Sequence, residues 1–270
     1  MFAAKIKLGF YPVLVLIVLF SCSAPPTTTT ADYNAEMSMR EMPLALIKAI
    51  DAHGGMQRWK DMQTWAFTVD KNGQPERQLT DLKTRKVLNK HSDYTVGFDG
   101  KEVWITPNKA AFGQGSPRFY HNLYWYFHAF PFVMTDPGIN YEVLPQKEIN
   151  GKTHDVVKIS YDAGVGDAPD DYYIAHFDAK THQMYMLLYT VTYFQGKPGD
   201  KYNALIFDDW IEVNGLVVPN SMKGYKYADG ELGEQRYHRF FKDIELSTTP
   251  ADQAMFEMPA GAEIDTLIQH

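Results

Sequence analysis

Four dipeptides, Asp99-Gly100, Asn150-Gly151, Asn214-Gly215 and Asp229-Gly230, punctuate this chain where the flanking residues alternate apolar and polar. Asn-Gly and Asp-Gly readily take the left-handed backbone of a two-residue hairpin turn, whose twist matches that of the strands it joins. A period of two on both sides of such a turn reads as an antiparallel hairpin. Trp65, Phe67 and Val69 alternate with polar neighbours, and Gln78–Leu82, Arg85–His91, Tyr94–Phe98 and Glu102–Ile105 read similarly. Glu142–Ile149 and His154–Tyr161 flank Asn150-Gly151, and Asp178-Ala179-Lys180-Thr181 turns Tyr172–Phe177 into Gln183–Phe194. Ala204–Val213 and Leu216–Lys226 flank Asn214-Gly215, and Glu234–Leu246 follows Asp229-Gly230. The fold class is therefore mainly β: an antiparallel, incomplete (half-open) β-barrel of roughly 10–12 strands, covered by helices. Met184–Tyr193 is apolar on both faces, so the face outside the barrel is expected to need a cover such as a helix.

Two stretches break the period of two. Leu44, Ile47, Ala49 and Ile50 recur at helical spacing after Pro43, a residue suited to a first helical turn. His53-Gly54-Gly55 ends that helix, and Met56–Met62 continues it briefly. Ser116-Pro117 starts a second helical segment, which runs through Arg118 to Met134 and is mostly Phe, Tyr, Trp, Leu, Val or Met. Asp136-Pro137-Gly138 ends it as a turn. A helix apolar on most sides is either core or the wall of an apolar cavity. The candidate cavity residues are Phe119, Leu123, Trp125, Tyr126, Phe127, Phe130, Phe132 and Met134.

The N-terminus has the layout of a secretory signal. Lys5 and Lys7 precede an apolar run, Leu8–Phe20, and Cys22 follows it. The run is shorter than the roughly 20 residues that a membrane-spanning helix needs. Cys22 is the sole cysteine of the 270-residue chain. Leu19-Phe20-Ser21-Cys22 resembles the lipobox of bacterial lipoproteins, in which the thiol is acylated after cleavage. That resemblance implies residues 1–21 as a signal peptide and 22–42 as a lipidated cysteine with a flexible linker, with 43–270 as the barrel domain. Pro25-Pro26 and Thr27–Thr30 suit a solvated tether. Ser23 resembles the residue after the cysteine in lipoproteins released to the outer membrane, and no early acidic cluster follows. The expected location is the cell envelope: lipid-anchored in the outer membrane, facing the periplasm.

Composition excludes several classes. The net charge is −7, and loss of the signal removes two lysines more, so no basic surface is available for nucleic acid. A lone cysteine excludes an internal disulfide framework. His121 and His128 are seven apart, and His53, His154, His176 and His182 are also present. No HExxH or HxH spacing accompanies them, so no metal or cofactor is expected. Asp170-Asp171 and Asp208-Asp209 are adjacent pairs, which on strands point to opposite faces. Neither a nucleophile elbow nor a phosphate loop occurs, and no catalytic residue is assigned.

Three short motifs add a resemblance. They are Asp178-x-x-Thr181 between two aromatic strands, Gly215-Leu216-Val217-Val218-Pro219 opening a late strand, and Phe256-Glu257-Met258-Pro259 followed by Gly261. With the Gly-Gly helix stop, the meander and the helical insertion, residues 44–260 resemble the bacterial lipoprotein-carrier fold of LolA, LolB and outer-membrane lipoprotein-sorting proteins. The resemblance implies an incomplete antiparallel barrel wrapped around helices, with a hydrophobic cavity between them. The family's gating arginine and the receptor's exposed apolar loop match no position here. The expected function is binding of a lipid, acyl chain or other hydrophobic small molecule. A structural or interaction module with a filled core is the alternative, and a hydrolase comes third.

Overall fold

Trp65 and Phe67 sit fully buried on the strand that forms the middle of the molecule, and the rest of the chain is wound to either side of it. The structure is a computed structural model and describes residues 42–71, 73–194, 196 and 202–268, all within one unit, Met39–His270. The expected signal peptide, Cys22 and most of the linker lie outside the described residues.

The first five strands are β1 (Thr64–Lys71), β2 (Gln74–Asp81), β3 (Val87–Lys90), β4 (Thr95–Phe98) and β5 (Val103–Thr106). After a helical stretch come β6 (Ile139–Ile149), β7 (Lys152–Tyr161), β8 (Tyr173–Asp178), β9 (Met184–Tyr189) and β10 (Tyr202–Ile206). A small hairpin, β11 (Trp210–Val213) and β12 (Leu216–Pro219), precedes β13 (Ser221–Ala228), β14 (Glu231–Ser247) and β15 (Glu263–Ile264). Thirteen of these form one antiparallel sheet in the order β15-β5-β4-β3-β2-β1-β14-β13-β10-β9-β8-β7-β6. The ends, β15 and β6, do not pair, so the sheet is open and no barrel closes. Asn150, Asn214 and Asp229 have φ of 52°, 49° and 53°, each followed by a positive-φ glycine, as two-residue hairpin turns require. Asp99-Gly100 differs. Its carboxylate accepts the Lys101 and Glu102 amides, both at 2.8 Å, and closes a longer loop.

The strand count exceeds the expected 10–12 for a physical reason. The hairpin around Asn214-Gly215 breaks at Asp208-Asp209 and at Asn220. Asp209 accepts the Asn220 amide and the Asn220 side chain, at 2.8 and 2.9 Å. That pairing continues the β11–β12 hairpin past Trp210 and Pro219, and β11–β12 stands as a separate two-stranded sheet. The expected strand Gln183–Phe194 likewise ends as β9 at Tyr189.

Helix α1 (Leu44–Ala52) buries Leu46, Ala49 and Ile50, with His53 one turn on, while Leu44 is 65% exposed and Ile47 42%. The buried stripe thus runs through 46, 49, 50 and 53, rotated from the one read in sequence. Gly54 and Gly55, at φ 106° and 89°, turn the chain into α2 (Met56–Asp61). A Cβ on Gly54 would stand 2.3 Å from the Gly215 carbonyl oxygen, so α1 docks on the β11–β12 turn only with glycine there. The buried His53 ring links two strands: Nδ1 lies 2.8 Å from the Val217 carbonyl, and the Met184 amide donates to Nε2 at 3.2 Å. Burial pulls this imidazole down to about 4.

The main core lies on one face of the sheet. Leu46 and Ile50 of α1 meet Trp65 and Phe67 of β1, Val157 and Ile159 of β7, Leu205 of β10 and Phe241 of β14. Strands far apart in the sheet order share this core, so the sheet wraps around the helices. The opposite face is covered without a helix in the β6–β10 half. There Met186, Leu188, Ala204 and Ile206 pack under Tyr185, Tyr202, Tyr225 and Tyr227. In the β2–β5 half the cover is the C-terminal segment. Phe256 packs on Leu88 and Trp104, and Trp104 Nε1 donates to its carbonyl at 3.2 Å. The expected covering helix is thus replaced by tyrosines and a short C-terminal stretch.

Candidate functional site

The insertion between β5 and β6 folds as α3 (Lys109–Phe112), α4 (Pro117–Tyr120), α5 (Leu123–His128) and a 3₁₀ turn, Phe132–Thr135. One continuous helix was the expectation from Ser116 onward. Instead Asn122 at φ −116° stands between α4 and α5, and Pro131 follows the end of α5. Proline lacks the amide that would continue the ladder.

Contacts to Asp265, Glu76, Lys71, Asn89 and Pro219 pin this segment. Ser116 Oγ accepts the Phe119 amide at 3.1 Å and donates to Asp265 at 2.7 Å. Asp265 also accepts the Arg118 amide at 2.8 Å and pairs with Lys109 at 2.9 Å. Burial pushes the Asp265 carboxyl up, but these donors outweigh it and hold the group below the usual carboxylate range. Tyr120 donates to Glu76 at 2.7 Å, as do Tyr94 at 2.6 Å and Gln78 at 2.6 Å, so a fully buried carboxylate is satisfied by three donors. The Lys71 ammonium lies 3.3 Å from the Tyr120 ring centre, and burial lowers it to about 8 against the pull of Glu76. Asn89 donates to the His121 carbonyl at 2.8 Å, and His128 Nε2 lies 2.6 Å from the Pro219 carbonyl.

One flank of the segment stays uncovered and forms a cleft of about 390 Å³. Its walls are Phe119, Leu123, Tyr126 and Phe127 on one side, Tyr161 and Tyr173 on β7 and β8, and Val165 and Ala168 on the loop between those strands. Leu123, Tyr126 and Phe127 stand at helical i, i+3 and i+4, which places them on one flank. Trp125 lies on the other flank, in the main core, together with Phe130, Phe132 and Met134, each at most 3% exposed. Of the eight candidate residues, Phe119, Leu123, Tyr126 and Phe127 line the cleft, Phe127 also belonging to the core, and the other four lie wholly within the core.

The charged groups of the cleft are held by partners. Arg118 grips Asp167 through two nitrogens, at 2.6 and 2.9 Å, and straps α4 to the β7–β8 loop across the cleft. Asp136 is held by Arg85 at 2.6 Å, although burial raises it above the usual range. Asp171 accepts the Thr192 amide at 2.7 Å. The Tyr126 and Tyr161 hydroxyls meet at 2.5 Å, and burial pushes both phenols up, so both stay neutral. Chemically the cleft offers aromatic walls with four phenols, Tyr126, Tyr161, Tyr173 and Tyr193, a strap of opposite charges, and Asp136 and Asp171 at its edge. That arrangement suits an apolar guest with few polar atoms.

His121 and His128, the pair seven apart, end different helices. His121 ends α4, beside the Arg118 carbonyl, and His128 ends α5 in the core, stacked on Phe241 at 4.0 Å. The Asp208-Asp209 pair is divided between Lys223 on one side and Asn220 and Ser221 on the other. Sequence reasoning passed over Glu76, Arg118, Asp167 and Asp265. The parity of Glu76, Gln78 and Thr80, all buried on one face of β2, is the signal that marked Glu76. Nothing in sequence connects Asp265 to Ser116, which are joined only in space.

No family model matches the chain, and no curated protein does. Solved structures do. A DUF1329 family protein from Desulfovibrio piger is 11% identical, with a TM-score of 0.49, over 79% of this chain and 95% of that one. A LolA superfamily protein from Nitrosomonas europaea is 9% identical, with a TM-score of 0.48, over 79% and 96%. A putative outer membrane lipoprotein-sorting protein domain from Vibrio parahaemolyticus is 9% identical, with a TM-score of 0.44, over 78% and 97%. The last two carry names from the group that the sequence motifs resemble.

Proposed function

We propose that the cleft under α4 and α5 binds a hydrophobic ligand of the lipid or acyl-chain class, in a protein tethered by acylation of Cys22 to the periplasmic side of the outer membrane. One observation carries the reading: Phe119, Leu123, Tyr126 and Phe127 line about 390 Å³ of space while the rest of their segment is pinned. Binding draws on apolar burial, at about 25 cal/mol per Å². The Arg118–Asp167 strap spans the cleft and sets how readily a guest enters. The test is native mass spectrometry of residues 32–270 purified without detergent, followed by organic extraction. A stoichiometric hydrophobe supports the reading and names its class. An empty protein that also takes up no fluorescent fatty acid excludes it.

A second reading, an interaction module with a filled core, draws on Trp125, Phe130, Phe132 and Met134, which are packed and not cavity-lining. Under that reading, filling the cleft with a larger side chain leaves every binding property unchanged.

A further inference from the structure

The face of the sheet away from the helices holds a second cavity, of about 470 Å³. Its floor is Val156 of β7, Ile174 and His176 of β8 and Leu188 of β9. Leu144 and Pro145 of β6 stand on one side, and Tyr202, Tyr227 and the Asp229-Gly230 turn on the other. A side chain spans it. Lys147 of β6 donates through Nζ to the Tyr227 hydroxyl at 2.7 Å and to the Gly230 carbonyl at 2.9 Å. The β6–β7 and β13–β14 hairpins lie at opposite ends of the run β6-β7-β8-β9-β10-β13-β14, yet this clasp joins them. Bulges bend both: one between Leu144 and Lys147, and two between Gly224 and Tyr227.

The polar side chains lining this compartment are Lys147, His176, Tyr202, Tyr227 and Asp229. An ammonium has three donors, and Lys147 uses two on the clasp, leaving one. His154, behind the lining as the register partner of Lys147, is buried, and neither of its ring nitrogens has a partner among the described residues. His176 is buried in the floor, its Nδ1 on the Ile174 carbonyl at 3.2 Å. The one carboxylate of the lining, Asp229, is exposed at the turn. In a chain of net charge −7, a lysine with a spare donor beside an unbonded imidazole and an aliphatic floor is complementary to an anion with a hydrocarbon tail. A neutral hydrophobe would strip water from the ammonium and return nothing. The volume lies within the ~300–1,000 Å³ of ordinary ligand sites.

We propose that this compartment is a binding site for a single-chain carboxylate amphiphile, the fatty-acid class, with its head on Lys147 beside His154 and its chain along Val156, Ile174 and Leu188. The site is separate from the cleft under α4 and α5, and either can fail without the other.

The test uses the full chain, held soluble in an amphipol, with labelled isoleucine and leucine methyls and ¹³C-dodecanoate. Nuclear Overhauser contacts from the dodecanoate chain to the Ile174 and Leu188 methyls are expected, and they persist in a Leu123→Trp variant whose other cleft is filled. Lys147→Met keeps the aliphatic stem and removes the charge. It is expected to weaken dodecanoate at least tenfold and to change dodecanol less than twofold. Absence of contacts at those methyls in the unmodified chain overturns the proposal whether or not the Lys147 variant folds. So does equal binding of acid and alcohol that ignores the substitution, or loss of the contacts in Leu123→Trp.

Discussion

Leu123 and Trp125 are two residues apart, yet Leu123 borders the cleft at the edge of the core while Trp125 is enclosed within it. Trp125 is 3% exposed with the Arg85 guanidinium 4.8 Å from its ring centre, and its truncation leaves a hole. Trp125→Ala is expected to lower unfolding free energy by about 3–5 kcal/mol in a denaturant titration. Leu123→Trp adds volume toward open space, so the unfolding midpoint stays near that of the parent while uptake of a fluorescent fatty acid into the cleft falls tenfold or more. Equal destabilisation by both would show that Leu123 is core too. Gly54 gives a third expectation at this scale. Its φ of 106° and the 2.3 Å approach to Gly215 leave no room for a methyl group, so Gly54→Ala should cost more than the ~1–3 kcal/mol of ordinary overpacking. A thermal melt checks it.

At the scale of elements, the informative one is α4, a four-residue helix that could not stand alone. Asp265, just after β15, holds its start and Glu76 of β2 its end, from distant places in the sequence. Asp265→Asn removes a charged acceptor from three donors and is expected to cost about 1–3 kcal/mol, read as a lower unfolding midpoint. The folded-state value of Asp265 is depressed, so its contribution is present at neutral pH and is lost as pH falls through that value, below the ordinary 3.8. The Arg118–Asp167 strap predicts a kinetic effect. Arg118→Glu sets two carboxylates against each other across the cleft, and ligand exchange measured by stopped flow should become faster. A rate unchanged within error would leave the strap without a role in entry. The aromatic content of 117–134 marked the element in sequence, but its division into helices was hidden. The division depends on Glu76, Asn89 and Pro219 capturing Tyr120, His121 and His128.

Over the whole molecule, four buried imidazoles set the response to acid. Burial pulls His53, His121 and His176 down to about 4 and His128 to about 3, against 6.5 in the unfolded chain. Below 6.5 the unfolded chain binds protons that the folded one refuses, so stability falls as pH drops from 6.5 toward 4. The loss is at most about 1.4 kcal/mol per pH unit for each histidine. The urea midpoint at pH 5 should therefore lie clearly below that at pH 7.5, and equal midpoints would contradict the burial of these rings. His53 transmits the effect, because protonating Nε2 removes the acceptor of the Met184 amide and loosens α1 from β9.

Local chemistry alone determined the antiparallel meander. Asn150-Gly151, Asn214-Gly215 and Asp229-Gly230 need the left-handed backbone whatever surrounds them, and period-two stretches such as Trp65-Ala66-Phe67 already separate the two faces. The signal-like start and its cysteine are local patterns of the same kind. Tertiary structure decided which aromatic residues face a cavity and which fill the core, since Leu123 and Trp125 carry the same apolar message in sequence. It also decided that Asp265 meets Ser116, and that Lys147 spans a compartment to Gly230. Those contacts depend on how far the sheet coils and where its bulges fall, and that is set by the packing of all thirteen strands together.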